Sequence, residues 1–197
     1  MGTSKGATIL FLGKAGDELC GRARDFLALH SATTEGHLGR WGDPFPVPDR
    51  MAEYDYIVSY LSPWIVPRAV LERAAKAAVN FHPGPPEYPG IGCTNFAIYE
   101  GTRTYGVTCH HMVQKVDTGP IIHVVRFPVH ATDNVLSLTH RCYAHLAAVF
   151  YEIADLIIAG KPLPLAEERW QREPFTRAQL NELCRLTPSM SEEEIAA

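Results

Sequence analysis

An α/β fold with a largely parallel central sheet and helices on both faces is what this sequence predicts, and three observations predict it. Ala7 to Leu12 is an unbroken apolar run ending at Gly13, as suits a strand buried on both faces. Asp17 then offers an N-cap, and Leu19, Ala23, Phe26, Leu27 and His30 fall on one helical stripe. A second, longer helix is expected from Asn134 to Ala159, capped by Asp133 and stopped by Gly160. Its stripe, Val135, Leu138, Cys142, Leu146, Val149, Ile153 and Leu156, steps by threes and fours. A strand followed directly by a helix is the opening of a parallel sheet.

Between these, each element has its own signal. Ser31 to Arg50 is rich in Gly, Pro and Thr, has no period, and is expected to be loop. Tyr56 to Leu61 reads as a strand, and Pro67 opens a helix through Lys76 with proline at its first position. Ala78 to His82 is a short strand kept extended by Pro83. A tight loop from Pro83 to Gly92 precedes a helix from Thr94 to Glu100. Strands follow at Tyr105 to Met112 and Ile121 to Val129, separated by the turn Asp117-Thr118-Gly119. After the long helix come a Pro-rich connector, Trp170, and a short helix near Arg177 to Leu186. The expected organisation is one domain over residues 1–160, abbreviated in its N-terminal half, and a tail over 161–197.

Bulk properties exclude several function classes. With 197 residues, 46% of them hydrophobic, the chain can build one sizeable core. A net charge of −4 with no cluster of Lys and Arg gives no stripe for nucleic acid. No apolar run approaches the roughly eighteen residues of a membrane span, and Met1 to Lys5 does not read as a signal peptide. Five scattered cysteines, Cys20, Cys93, Cys109, Cys142 and Cys184, suit reduced thiols in the cytoplasm. Metal is not expected: His110 and His111 would point to opposite faces of a strand, and His140 and His145 are five apart on a helix. Ser59 and Ser62 lack a nucleophile elbow. Gly13-Lys14-Ala15-Gly16 fits no phosphate-binding pattern and reads as a turn.

The chemistry concentrates between Asn80 and Ile122. Asn80 and His82 are two apart, so a strand places both on one face. Asp117 heads a turn after the next strand. An amide, an imidazole and a carboxylate aimed at one point can hold an oxyanion, move a proton and orient the ring. Taken singly, each also has a structural reading: a loop-capping amide, a packed histidine, a turn aspartate.

The surrounding pattern resembles the 10-formyltetrahydrofolate-dependent N-formyltransferase family. It stands here as Asn80-Phe81-His82-Pro83, Pro85-Pro86-Glu87-Tyr88-Pro89-Gly90, Gly106-Val107-Thr108-Cys109-His110 and Val116-Asp117-Thr118-Gly119. The likeness covers about Tyr54 to Lys161, over half the chain. It implies a Rossmann-like fold, 10-formyltetrahydrofolate as formyl-donor cosubstrate, and Asn80, His82 and Asp117 in the catalytic positions. It places the folate against Leu61, Ser62, Trp64 and Ile65 and against Val113, Gln114, Lys115 and Val116, although Trp64 equally suits core packing. His110 would position substrate or pack in its strand, and Tyr88, Asn95, Phe96 and Tyr99 would line the acceptor pocket. Asp117 would orient His82 and raise its pKa.

Within the family the loop Phe81 to Gly90 and the stretch from Pro174 to Arg177 are most similar to the nucleotide-sugar amine N-formyltransferases. The implied reaction is formyl transfer to a primary amine of a nucleotide-linked amino sugar. Hydrolysis of formyltetrahydrofolate, or a non-catalytic folate- or sugar-binding module, are the alternatives. The pattern names neither sugar nor nucleotide, and it leaves open whether the abbreviated stretch Ser31 to Arg50 completes the acceptor pocket. The apolar long helix and the Trp170 tail offer a patch for a homodimer.

Overall fold

A computed structural model describes residues 6–49, 53–192 and 195; Met1 to Lys5 and Arg50 lie outside the described residues. Strand β1 (Thr8–Lys14) pairs in parallel with β2 (Thr33–Gly39) on one side and β3 (Tyr54–Tyr60) on the other. β3 pairs in parallel with β4 (Ala74–His82). Beyond β4 the sheet turns antiparallel, through β5 (Thr104–His111) and β6 (Ile121–Pro128), giving the order β2-β1-β3-β4-β5-β6. The parallel pairs need crossovers: α1 (Glu18–His30) links β1 to β2, and the one-turn α2 (Arg68–Leu71) lies between β3 and β4.

Alternation along the strands divides the core in two. Ile9, Phe11, Val58, Val79, Phe81, Val107 and Cys109 face α1, α3 (Cys93–Tyr99) and α4 (Val135–Ile158). Leu10, Leu12 and Ile57 face the other way, under Val66, Leu71, Phe45 and Trp64. Being covered on both sides is why β1 reads as a continuous apolar run. α1 is capped by the Asp17 carboxylate, which accepts the Cys20 N–H, and it buries Cys20, Ala23 and Leu27. That carboxylate takes one of the N–H groups at the helix N-terminus, and Ala15 and Gly16 form the turn expected between strand and helix.

Four expectations change. Ser31 to Arg50 is not all loop: it holds β2, an edge strand whose residues are mostly half-exposed and so show no apolar alternation. Backbone pairing with β1 supports it, and the Tyr54 hydroxyl donates to Glu35. The helix after Pro67 ends at Leu71, with Pro67 at the N-cap, and Ala74 to Lys76 begins β4 instead. Its alanines favour helix, but pairing with β3 overrides propensity. The α4 cap is Asn134, in a reciprocal box with Ser137, while Asp133 accepts the Ser137 hydroxyl and the Arg141 guanidinium. Its stripe is buried from Leu138 to Ile157, the last position replacing Leu156.

The residues after α4 return across the domain. Ala166 donates to the Ile121 carbonyl and Gln171 to the Pro86 carbonyl, Gly90 bridges Phe175, and Phe175 stacks on Phe96 at 3.7 Å. α5 (Arg177–Leu183) follows behind a Thr176–Gln179 capping box. The apolar stripe of α4 is packed within the chain, and the Trp170 indole N–H is taken by the Gly119 carbonyl. Among the described residues no helix is long and apolar enough to cross a membrane.

Candidate active site

Strand register builds the floor of the site. Val79 and Phe81 turn to the α4 side, so Asn80 and His82 point to the other face. In the antiparallel ladder Asn80 sits opposite His110, and His82 opposite Thr108. Directly opposed residues meet side by side; here the Asn80 Nδ2 lies 3.1 Å from the His110 Nε2. Asp117 enters from the β5–β6 turn, in the left-handed region at φ 46°. Gly119 lets that turn press onto β5, since a Cβ there would stand 1.9 Å from the His111 carbonyl oxygen.

The Asp117 carboxylate is the hub. Its Oδ2 accepts the Gly90 N–H at 2.8 Å and lies 3.2 Å from the His82 Nδ1. Its Oδ1 lies 3.1 Å from the His110 Nε2 and 3.4 Å from the Asn80 Nδ2. The far nitrogen of each ring also meets an oxygen: His82 Nε2 the Tyr88 carbonyl, His110 Nδ1 the His111 carbonyl, both at 2.9 Å. All three charged or chargeable groups are nearly solvent-free, with 3%, 2% and 3% exposure for His82, His110 and Asp117.

Burial and charge pull in opposite directions here. Burial alone would raise the Asp117 carboxyl, but the His82 charge, the His110 ring and the Gly90 N–H together bring it down to about 2. For His82 burial wins: it lowers the ring below its usual 6.5, against the upward pull of Asp117 and the Tyr88 carbonyl, and the His110 charge adds to the lowering. The expectation that Asp117 would raise this ring holds for its own contribution and fails for the net direction. Burial likewise pushes the Cys93 thiol up to about 12, so this neighbour of His82, with its sulfur 3.7 Å from Nε2, stays protonated. Among the described residues no group of three or more His, Cys, Asp or Glu is arranged to hold a metal ion.

A cleft of about 740 Å³ opens beside this cluster, and Asn80, His82, His110 and Asp117 all line it. Leu61, Ser62, Trp64 and Ile65 line one part, with Val113, Gln114, Lys115 and Val116 nearby. Trp64 does both things foreseen for it: it packs on Phe45, bonds the Asp43 carbonyl, and still borders the cleft. Asn95 borders the cleft as well. Tyr88, Phe96 and Tyr99 do not, which corrects the sequence reading. One residue on from Asn95, the helix has turned Phe96 into the core against Phe175; Tyr88 is buried with its hydroxyl on Glu100, and Tyr99 is exposed elsewhere.

Other lining residues were not assigned to the cleft from sequence. Thr139, Cys142 and Tyr143 come from α4, and Pro174 to Arg177 and Leu180 from the tail. The Arg177 guanidinium lies 4.8 Å from the ring of Trp41, itself on the cleft wall. A Thr-x-x-Gln cap could have placed the start of α5, but not which side of it meets the cleft.

The chain has known relatives. The model of the family described as Formyl transferase matches residues 49–152, more than half of the chain. The chain belongs to the formyl transferase family. A methionyl-tRNA formyltransferase of Geobacillus thermodenitrificans is 30% identical over 128 residues, 64% of this chain and 40% of that protein. A GDP-perosamine N-formyltransferase of Brucella melitensis is 32% identical over 109 residues, 55% of this chain and 42% of that protein. The chain thus spans about two fifths of the length of these curated relatives. The formyltransferase PseJ of Anoxybacillus kamchatkensis, solved with UDP-4,6-dideoxy-4-formamido-L-AltNAc and tetrahydrofolate, shares the fold. Its TM-score is 0.68 at 23% identity, covering 92% of this chain and 93% of that one.

Proposed function

We propose that this chain transfers the formyl group of 10-formyltetrahydrofolate to the primary amine of a nucleotide-linked amino sugar. One observation carries the reading: an amide, two imidazoles and a carboxylate converge within bonding reach at the wall of a cleft of about 740 Å³. The amine nitrogen attacks the formyl carbon and its carbonyl becomes an oxyanion. Asn80 offers one amide hydrogen to that oxygen, the other being held beside Asp117 and His110. His82, whose lowered pKa leaves it neutral at pH 7, takes the amine proton at Nε2 once that nitrogen turns from the Tyr88 carbonyl it meets here, and Asp117, beside Nδ1, stabilises the imidazolium that results. Breaking the bond from carbon to the folate nitrogen then returns the proton to that nitrogen and closes the cycle.

Family membership and the folate-bearing Anoxybacillus neighbour support the donor. For the acceptor, the neighbour's nucleotide sugar and the GDP-perosamine relative support an amino sugar. A net charge of −4 weighs against the tRNA of the Geobacillus relative. Five free cysteines fit a cytoplasmic setting.

The test is a donor assay with a panel of nucleotide-linked amino sugars, reading free tetrahydrofolate by absorbance and the formamide product by mass spectrometry. A stoichiometric formamide on one sugar is expected. Formate release at an equal rate without amine would replace the reading by hydrolysis. Folate binding without turnover on any amine would replace it by a binding module.

A further inference from the structure

We propose that Trp170 is a positioning residue of this site, tying the Asp117 turn against both imidazoles and excluding water from their far side. Three contacts carry it. The indole Nε1–H donates to the Gly119 carbonyl at 2.8 Å, two residues after Asp117. The same ring meets His82 edge-on, with centroids 5.7 Å apart, and His110 at 5.0 Å with an interplanar angle of 89°. Trp170 does not line the cleft, whereas both histidines do, so it covers them from another side.

The indole is itself held from both directions. Ala166 donates to the Ile121 carbonyl before it and Gln171 to the Pro86 carbonyl after it, while Glu173 pairs with Lys115 across the turn. The segment is therefore fixed to β6, to the loop after β4 and to the β5–β6 turn two residues before Asp117. One side chain then links the three parts of the molecule that deliver His82, His110 and Asp117. Asp117 keeps the left-handed φ only while its turn is pressed onto β5, and the Gly119 carbonyl is the handle by which Trp170 presses it. A turn released by even a fraction of an ångström moves the carboxylate away from two rings at once. Reaction rates respond steeply to such displacements.

The inference rests on the reading of Asn80, His82 and Asp117 as the reacting groups, and its test separates the two. Trp170→Phe keeps an aromatic edge over the rings and removes the N–H; Trp170→Ala removes both. The expected kcat falls about fivefold in the first, the worth of one neutral hydrogen bond, and about a hundredfold in the second. KM for the folate is expected to stay within about twofold in both, since Trp170 does not itself line the cleft. Rates are normalised to sites counted by folate-analogue binding, which removes any loss from unfolded protein.

The second readout needs no turnover. Imidazole N–H protons followed by NMR in the unliganded protein should exchange slowly with water in the wild type and in Trp170→Phe, and quickly in Trp170→Ala. Unchanged kcat in both variants, a loss confined to KM, or unchanged exchange in Trp170→Ala would each overturn the proposal. Should Trp170→Ala fail to fold, the Trp170→Phe kcat decides alone. If the wild type formylates no amine, the functional reading falls, and the exchange rates still judge Trp170.

Discussion

The floor of the cleft and its mouth are held together by different means. On the floor, Asn80, His82 and His110 stand where the β4–β5 ladder puts them, and backbone hydrogen bonds fix their spacing. At the mouth, Trp41 from the loop after β2 meets Arg177 from α5, two exposed side chains joined by one cation–π contact. The floor tolerates no adjustment, because moving one residue moves the strand. The mouth can be altered one side chain at a time. On the proposed function, chemistry falls to the rigid part and acceptor selection to the adaptable part.

Substitutions should separate the two. The largest effect is expected from Asp117→Asn, which removes the anion shared by two rings: kcat should fall about 10²- to 10³-fold. Folate affinity, measured by fluorescence titration, should stay within about twofold. Retained turnover would mean the floor does not hold the reacting groups. Gly119→Ala comes next, because its Cβ would face a backbone oxygen at 1.9 Å that cannot step aside. A loss of about 1–3 kcal/mol in urea unfolding is expected, and an unchanged midpoint would mean the turn is not pressed onto β5 as described.

Acid should weaken the floor in two stages. The folded state prefers the neutral His82 ring, so that contribution is full above pH 6.5 and begins to be lost as pH falls below it. Asp117, held at about 2 against an ordinary 3.8, stabilises the fold fully above pH 3.8 and loses that support as pH falls toward 2. The second stage amounts to about 2 kcal/mol. Urea midpoints measured at descending pH should show both, and Asp117→Asn should make the lower one smaller, leaving the part due to other lowered carboxyls such as Asp55 and Asp133. The smallest effect is expected from Arg177→Ala: about a two- to fivefold rise in KM for the nucleotide-linked acceptor with kcat retained. A loss confined to kcat would place the mouth in the chemistry after all.

The same contrast explains what could be read in advance. The two-residue spacing of Asn80 and His82, with Pro83 behind them, is a local pattern, and β4 obeys it. Asp117 in its turn was equally visible. That His110 would stand opposite Asn80 depends on the register of two strands, which no local pattern states. Strand β2 escaped because an exposed edge strand needs no apolar alternation, and Ala74 to Lys76 misled because propensity yielded to pairing. Phe96 and Tyr99 were placed in the pocket by proximity along the chain, which ignores that α3 rotates. Trp170 was read as an outward-facing aromatic for want of its partner, a carbonyl fifty-one positions away.

Trp170, Phe175 and Arg177 all follow α4, while every reacting side chain precedes it. During synthesis the chain therefore reaches residue 160 with its acid–base groups already made and its cleft still unfinished. The cleft is completed only when the returning segment docks, and a protease that nicked the Pro-rich link at Lys161 to Leu165 would leave the Asn80, His82 and Asp117 cluster in place and free the cleft walls to drift apart.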